Sequence, residues 1–100
     1  MQRAIVLDPQ AVEDLGRLRA SDRRAILDTI QRVLASNPET VSRSWIKRLR
    51  GLESPQYRLR VGGFRVFYDV SPDDVYVLRI LPKSTVEEYL KEMSDDAENY

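Results

Sequence analysis

The stretch "YRLRVGGFRVFYDV", residues 57–70, decides how this chain folds. Two runs of strand-favouring residues flank Gly62-Gly63, and a two-residue diglycine loop is a strong signal for a type I′ or II′ hairpin. So tight a turn fixes the register: Val61 faces Phe64, Arg60 faces Arg65, Leu59 faces Val66 and Arg58 faces Phe67. Because side chains alternate along a strand, Tyr57, Leu59, Val61, Phe64, Val66 and Tyr68 share one face, which must be the core face. Arg58, Arg60, Arg65 and Phe67 share the other. Two arginines directly opposite each other repel, which destabilises a sheet. A hairpin selected for stability alone would avoid them.

Downstream, "SPDD" (71–74) makes a turn and "VYVLRIL" (75–81) reads as a third strand. Its register stays open: if Tyr76, Leu78 and Ile80 join the core, then Val75, Val77 and Arg79 join the basic face. Pro82 ends the strand, and Ser84 is placed to cap a last helix with Val86, Tyr89, Leu90 and Met93 on one side. Upstream, "RAIVL" (3–7) reads as a strand. Asp8-Pro9 then opens a helix, with aspartate as N-cap and proline at the first helical position. Val12, Leu15 and Leu18 recur at helical spacing to residue 19. Ser21 offers a second cap, and Ile26, Ile30, Val33 and Leu34 mark one face of a helix that Asn37-Pro38 stops. Between these halves, "SRSWIKRLRGLE" (42–53) has no clean period. It reads as an irregular basic connector closed by Gly51, with Trp45 and Leu49 holding it to the core. The order is βααβββα. The expected fold is α+β, a small antiparallel β-sheet with an N-terminal αα-hairpin on one face and a C-terminal helix. Residues 1–93 form one domain and 94–100 an acidic, flexible tail.

Composition narrows the chemistry. Cysteine is absent, which removes disulfides and thiolate catalysis and fits a cytoplasmic protein. Histidine is absent too, so proton transfer falls to Lys, Tyr, Asp or Glu, and no ordinary zinc site is expected. No apolar run is long enough to span a bilayer, and "MQRAIVLDPQ" lacks the apolar core of a signal peptide. The formal net charge of zero hides an asymmetry. Residues 40–83 carry nine basic side chains, among them Arg43, against four acidic, whereas residues 84–100 carry one against six. A basic middle points to a polyanionic partner.

Two readings of the arginine face remain open from the residues alone. The arginines pair with Asp69 or the acidic C-terminal stretch, or lie solvated. Alternatively they await phosphate oxygens, which guanidinium groups grip bidentately. Phe67 on the same face would then stack on a base.

The stretches "IVLDPQAVEDLGRL" and "KRLRGLESPQYRLRVGGFRVFYDVSPDDVYVLRI" resemble the RelE/ParE superfamily of bacterial toxin–antitoxin toxins. The strand, glycine turn and Arg-bearing strand of residues 57–70 carry the resemblance most specifically. The RelE-like branch implies a ribosome-dependent mRNA endonuclease that acts in the A site without metal or other cofactor. The 2′-hydroxyl of the mRNA attacks the adjacent phosphate, so the site must accept a proton, stabilise the phosphorane and protonate the leaving oxygen. Carried over by position, the implied catalytic residues are Arg60, Arg65, Lys83 and Tyr89. Lys83 or Tyr89 would move protons with a pKa lowered by the cationic surroundings. The implied phosphate contacts are Arg58, Lys47, Arg48, Arg50, Phe67 and Arg79. The resemblance also implies a cognate antitoxin that wraps the toxin in a hetero-oligomer, with the ribosome and mRNA as further partners and no membrane. The ParE-like branch, which inhibits DNA gyrase without catalysis, is the alternative on the same fold, and a non-enzymatic RNA-binding module is a third.

Overall fold

The computed structural model describes residues 2–42 and 45–98. Its strands are β1 (Ala4–Leu7), β2 (Ile46–Arg48), β3 (Tyr57–Val61), β4 (Phe64–Val70) and β5 (Asp74–Pro82). Helices α1 (Pro9–Gly16) and α2 (Ala20–Thr29) follow β1, and α2 runs on into a π-helical turn, Ile30–Leu34. A 3₁₀ turn, Lys83–Thr85, leads into α3 (Val86–Glu98). The fold is α+β, as the sequence implied.

Asp8 caps α1 as expected, accepting the Gln10 N–H at 2.9 Å. Two other caps fall elsewhere. Helix α2 begins at Ala20 with no side-chain cap, so Ser21 lies inside it. The 3₁₀ turn absorbs Ser84 before α3 begins. Helix α3 continues past Met93 to Glu98.

The hairpin register is the expected one, with Arg60 opposite Arg65 and Arg58 opposite Phe67. Gly62 takes φ +56° while Gly63 stays outside the left-handed region, the pattern of a type II′ turn. The sheet order is β1-β5-β4-β3-β2. Two features depart from the sequence reading. Residues Ile46–Arg48 form an edge strand, antiparallel to β3, inside the supposed irregular connector. Strand β1 pairs parallel to β5, so the sheet is mixed. Parallel neighbours need a long crossover, and the whole of the chain between them supplies it.

A bulge resolves the register of β5. Phe67 pairs with Arg79 but Tyr68 pairs with Val77, so Leu78 is an extra residue. The slip changes the phase of alternation. Val75 and Val77 before it and Ile80 after it all reach the core, while Arg79 and Leu81 turn to the opposite face. Neither simple alternation gives that set.

Helices α1 and α2 cover the first face, burying Leu15, Ile26, Ile30 and Leu34 against Leu59, Val66 and Tyr68. Tyr57 and Tyr68 stack with centroids 5.4 Å apart, and the Tyr68 hydroxyl donates to the Pro38 carbonyl at 2.6 Å. Ile46 anchors β2 to this core, whereas Trp45, expected to do so, is 58% exposed. Strand β2 alternates, and Trp45 precedes the inward position.

Asp14, on α1, is the buried charge that joins the layers. β1 pairs with β5 only as far as Val77, whose carbonyl accepts the Asp8 N–H. Beyond that, Asp14 Oδ2 accepts the Ile80 N–H at 2.9 Å and the Arg79 Nε–H at 2.8 Å, while Oδ1 accepts Arg79 Nη2–H at 3.0 Å. Removing one partner of such a buried pair leaves the other without compensation. Asp14→Ala should therefore cost about 3 kcal/mol in denaturant unfolding. Asp14→Leu combined with Arg79→Met should recover only part of that loss, since the double change removes both charges together but leaves the Ile80 N–H without its acceptor.

Candidate nucleic-acid interface

The second face of the sheet carries the cations. Register places Lys47, Arg58, Phe67 and Arg79 in one row across β2, β3, β4 and β5, with Arg60, Arg65 and Leu81 in the next. The three hairpin guanidiniums feel one another. Burial, then Arg65 and Arg60, hold the Arg58 pKa below its ordinary value. Burial and then Arg60 lower that of Arg65. Both shifts record the same fact: the folded chain makes these charges less comfortable than water does.

Among the described residues none of the three forms an ion pair. Asp69, the candidate partner on β4, is committed elsewhere: it accepts the Ser54 hydroxyl at 2.5 Å and the Gln56 N–H at 2.7 Å. Arg65 instead donates to the carbonyls of Gly62 and Phe64, at 3.0 and 2.9 Å, which orients its guanidinium at the hairpin turn. Arg58 Nε is buried and has no hydrogen-bond partner. A charged donor left unsatisfied in this way costs the fold stability.

Several expected contacts have other occupations. Phe67 is fully buried, its ring 5.0 Å from that of Tyr89 on α3, so it cannot stack on a base. The sequence showed its face but not the helix that covers it. Arg79 is taken up by Asp14, and that hydrogen bond raises its pKa. Its guanidinium also lies 5.6 Å over the Tyr89 ring, linking α1 to α3. Arg48 falls on the other face, opposite Tyr57, over whose ring it sits at 4.9 Å while donating to the Gln56 carbonyl. Arg50 is exposed in the connector after β2, and Lys47 is exposed beside Arg58. Arg43 lies outside the described residues.

The two candidate proton carriers are set apart by environment. Lys83 is exposed, and its backbone N–H donates to the Gly63 carbonyl at 2.9 Å, which stitches the end of β5 to the hairpin turn. Tyr89 is half-buried. Burial pushes its pKa up to about 12, and the nearby Arg79 charge only partly opposes this. The cationic surroundings were expected to lower it. Desolvation outweighs the Arg79 charge, and the carboxylates of Asp69, Asp14 and Asp8 push the same way as burial. Tyr89 is therefore a phenol at neutral pH, able to donate a proton but not to take one.

Asp14 escaped the sequence reading, although a signal was present. It stands between Ala11 and Leu15 on the apolar side of α1, where a charge needs a partner.

The assembled face can hold two or more phosphate oxygens with Arg58, Arg60 and Arg65, with a lysine at one end. The chain matches, over residues 5–87, the family described as the ParE toxin of type II toxin–antitoxin systems, parDE. No curated protein gives a significant match. Its fold is that of a set of solved toxins. One is in the RelB–RelE antitoxin–toxin complex of Methanococcus jannaschii, with 24% identity, TM-score 0.64 and 84% of this chain covering 96% of that one. A second is in the RelE–RelB complex of Pyrococcus horikoshii, with 24% identity, TM-score 0.67, and coverages of 83% and 97%. A mutant of Escherichia coli RelE in the free state gives 19% identity, TM-score 0.69, and coverages of 97% and 98%. The family match spans most of the length, and on it the chain belongs to the ParE toxins of type II toxin–antitoxin systems, within the RelE/ParE superfamily.

Proposed function

We propose that this toxin is a ribosome-dependent mRNA endonuclease, held in check by an antitoxin that binds it as a hetero-oligomer in the cytoplasm. One observation carries the reading: Arg58, Arg60 and Arg65 share a face, repel one another and lack a carboxylate partner among the described residues. An RNA phosphodiester supplies the missing counter-charge.

The reaction asks little else of the protein. The 2′-oxygen of one nucleotide attacks the adjacent phosphorus, the bond from phosphorus to the 5′-oxygen breaks, and a 2′,3′-cyclic phosphate and a 5′-hydroxyl result. Arg60 and Arg65 stabilise the charge that builds on the phosphorane, and Arg58 holds a neighbouring non-bridging oxygen. The 2′-hydroxyl proton passes to the side-chain amine of Lys83, exposed just beyond β5. Tyr89, protonated because its pKa is near 12, supplies the proton that the 5′-oxygen takes up. Lys47 extends the phosphate track towards β2.

Gyrase inhibition is the second reading. The family description favours it, and so does the high pKa of Tyr89, which leaves Lys83 as the one proton acceptor of the assigned set. The two readings separate on induction of the toxin. Primer extension on translated mRNA should show new 5′ ends within codons, while plasmid supercoiling stays unchanged. Intact mRNA with relaxed plasmid or double-strand breaks would reverse the assignment.

Arg65→Ala should lower cleavage by roughly 10²–10³-fold, the usual loss for one transition-state donor. Its unfolding free energy should move by no more than about 0.5 kcal/mol. Arg58→Met should show the opposite pattern of stability. It keeps the packing of the side-chain stem but removes a desolvated charge, so the fold should gain up to about 1 kcal/mol in chemical denaturation while activity falls.

A further inference from the structure

Arg79 has no part in holding phosphate, yet it ends beside the hydroxyl-bearing ring of α3. Its guanidinium carbon lies 5.6 Å from the centroid of the Tyr89 ring, within the range where a cation is drawn to a π face. Asp14 keeps it there, accepting from Nε and Nη2 at 2.8 and 3.0 Å. Phe67 holds the same ring from another side, with centroids 5.0 Å apart. Between β5 and α3 lies a cleft of about 220 Å³, lined by Arg79 and Tyr89 with Leu81, Thr85, Glu88 and Glu92. Leu81 is the cross-strand neighbour of Arg65, so the cleft that Tyr89 reaches opens beside the phosphate row.

The other charges around this phenol are of one sign. Asp69 comes from β4, Asp8 and Asp14 from the cap and body of α1, and Glu88 and Glu92 from α3 itself. Burial and the three aspartates make the Tyr89 proton harder to lose, and Arg79 acts the other way. The attraction also changes during a proton transfer. A neutral ring offers a cation only its quadrupole. Once the proton leaves, negative charge spreads from the hydroxyl oxygen into the ring, and the same guanidinium meets a full anion. An interaction that strengthens as the reaction proceeds is the kind that speeds it.

We propose that Arg79 is a positioning residue for the acid step, holding the Tyr89 ring at the cleft and stabilising the phenolate left when the proton moves to the 5′-oxygen. The inference rests on the nuclease reading and deepens it. As the bond from phosphorus to the 5′-oxygen breaks, its electron pair takes the Tyr89 proton. The negative charge stays on the phenol, beside Arg79, until water returns a proton. Arg79 touches neither phosphate nor sugar in this role. Asp14 fixes it, so the helical hairpin behind the sheet contributes to chemistry on the far face.

The test uses the full-length toxin carrying a fluorinated tyrosine at position 89, whose more acidic phenol titrates where the fold survives. Its fluorine resonance reports the protonation midpoint directly. Arg79→Gln removes the charge, keeps an amide donor towards Asp14, and should raise the midpoint by about one pH unit. A ring merely loosened into water would titrate lower, so the direction separates charge from packing. Arg79→Lys keeps the charge and should titrate as the parent does. Asp14→Asn removes an opposing carboxylate and leaves Arg79, so the midpoint should fall, a signed result that stands even where Arg79→Gln does not fold. An unmoved or lower midpoint in Arg79→Gln would overturn the proposal, as would an unmoved or higher one in Asp14→Asn. On programmed ribosomes Arg79→Gln with ordinary tyrosine should cut about tenfold more slowly, and the fluorinated residue should restore most of the rate. Equal losses with both tyrosines would reduce Arg79 to packing and overturn it likewise. A parent toxin that leaves mRNA intact fails the nuclease reading instead, while the midpoints still decide whether Arg79 acts on the phenol.

Discussion

The carboxylate of Asp14 is the constraint on which the arrangement turns. At one point in the sheet β1 has ended, β5 has bulged at Leu78, and the Ile80 N–H has no strand to pair with. Asp14 fills that gap from α1 and in the same step fixes Arg79. Arg79 then lies against Tyr89, whose ring covers Phe67. One side chain thus holds the helical hairpin to the sheet on one face and sets the position of α3 on the other. The bulge makes this possible. Without the extra residue, Arg79 would point into the core and the basic face would lose its neighbour.

The arginine cluster follows the opposite logic. Every contact around Asp14 satisfies a buried group, whereas Arg58, Arg60 and Arg65 leave charge unsatisfied on a rigid hairpin. A type II′ turn with one left-handed glycine gives the two strands little freedom to spread the charges apart. Repulsion is therefore retained in the folded state, which is the usual condition of a site built for a ligand of opposite sign. Pre-placed cations would need no reorganisation on binding an anion.

Much of this was legible in the residues. The diglycine loop fixed four cross-strand pairs, and alternation then assigned the core face of the hairpin correctly. Local chemistry also placed the Asp8 cap and the end of the helical hairpin. What escaped was non-local. A three-residue strand, β2, is too short to show a period, and its pairing with β3 alone decides that Lys47 faces the cluster and Arg48 does not. A bulge is invisible to a pattern that assumes period two. Phe67 was placed on the correct face, but burial depends on α3, which arrives from the far end of the chain. The pKa of Tyr89 failed for a related reason: cationic neighbours were counted, but the burial of the ring against Phe67, which outweighs them, depends on where α3 packs.

Relief of the repulsion among three close guanidiniums is available to any anion that can reach them. The approach is limited by α3, whose Tyr89 ring lies against Phe67 in the same row as Arg58, so the row of Arg60 and Arg65 beside the turn is the more open part of the face. Attraction of this kind weakens as salt screens it. The cluster therefore acts most strongly on an anion held close enough to displace the intervening water, which a fixed hairpin with a tight turn favours because its charges need not be gathered first.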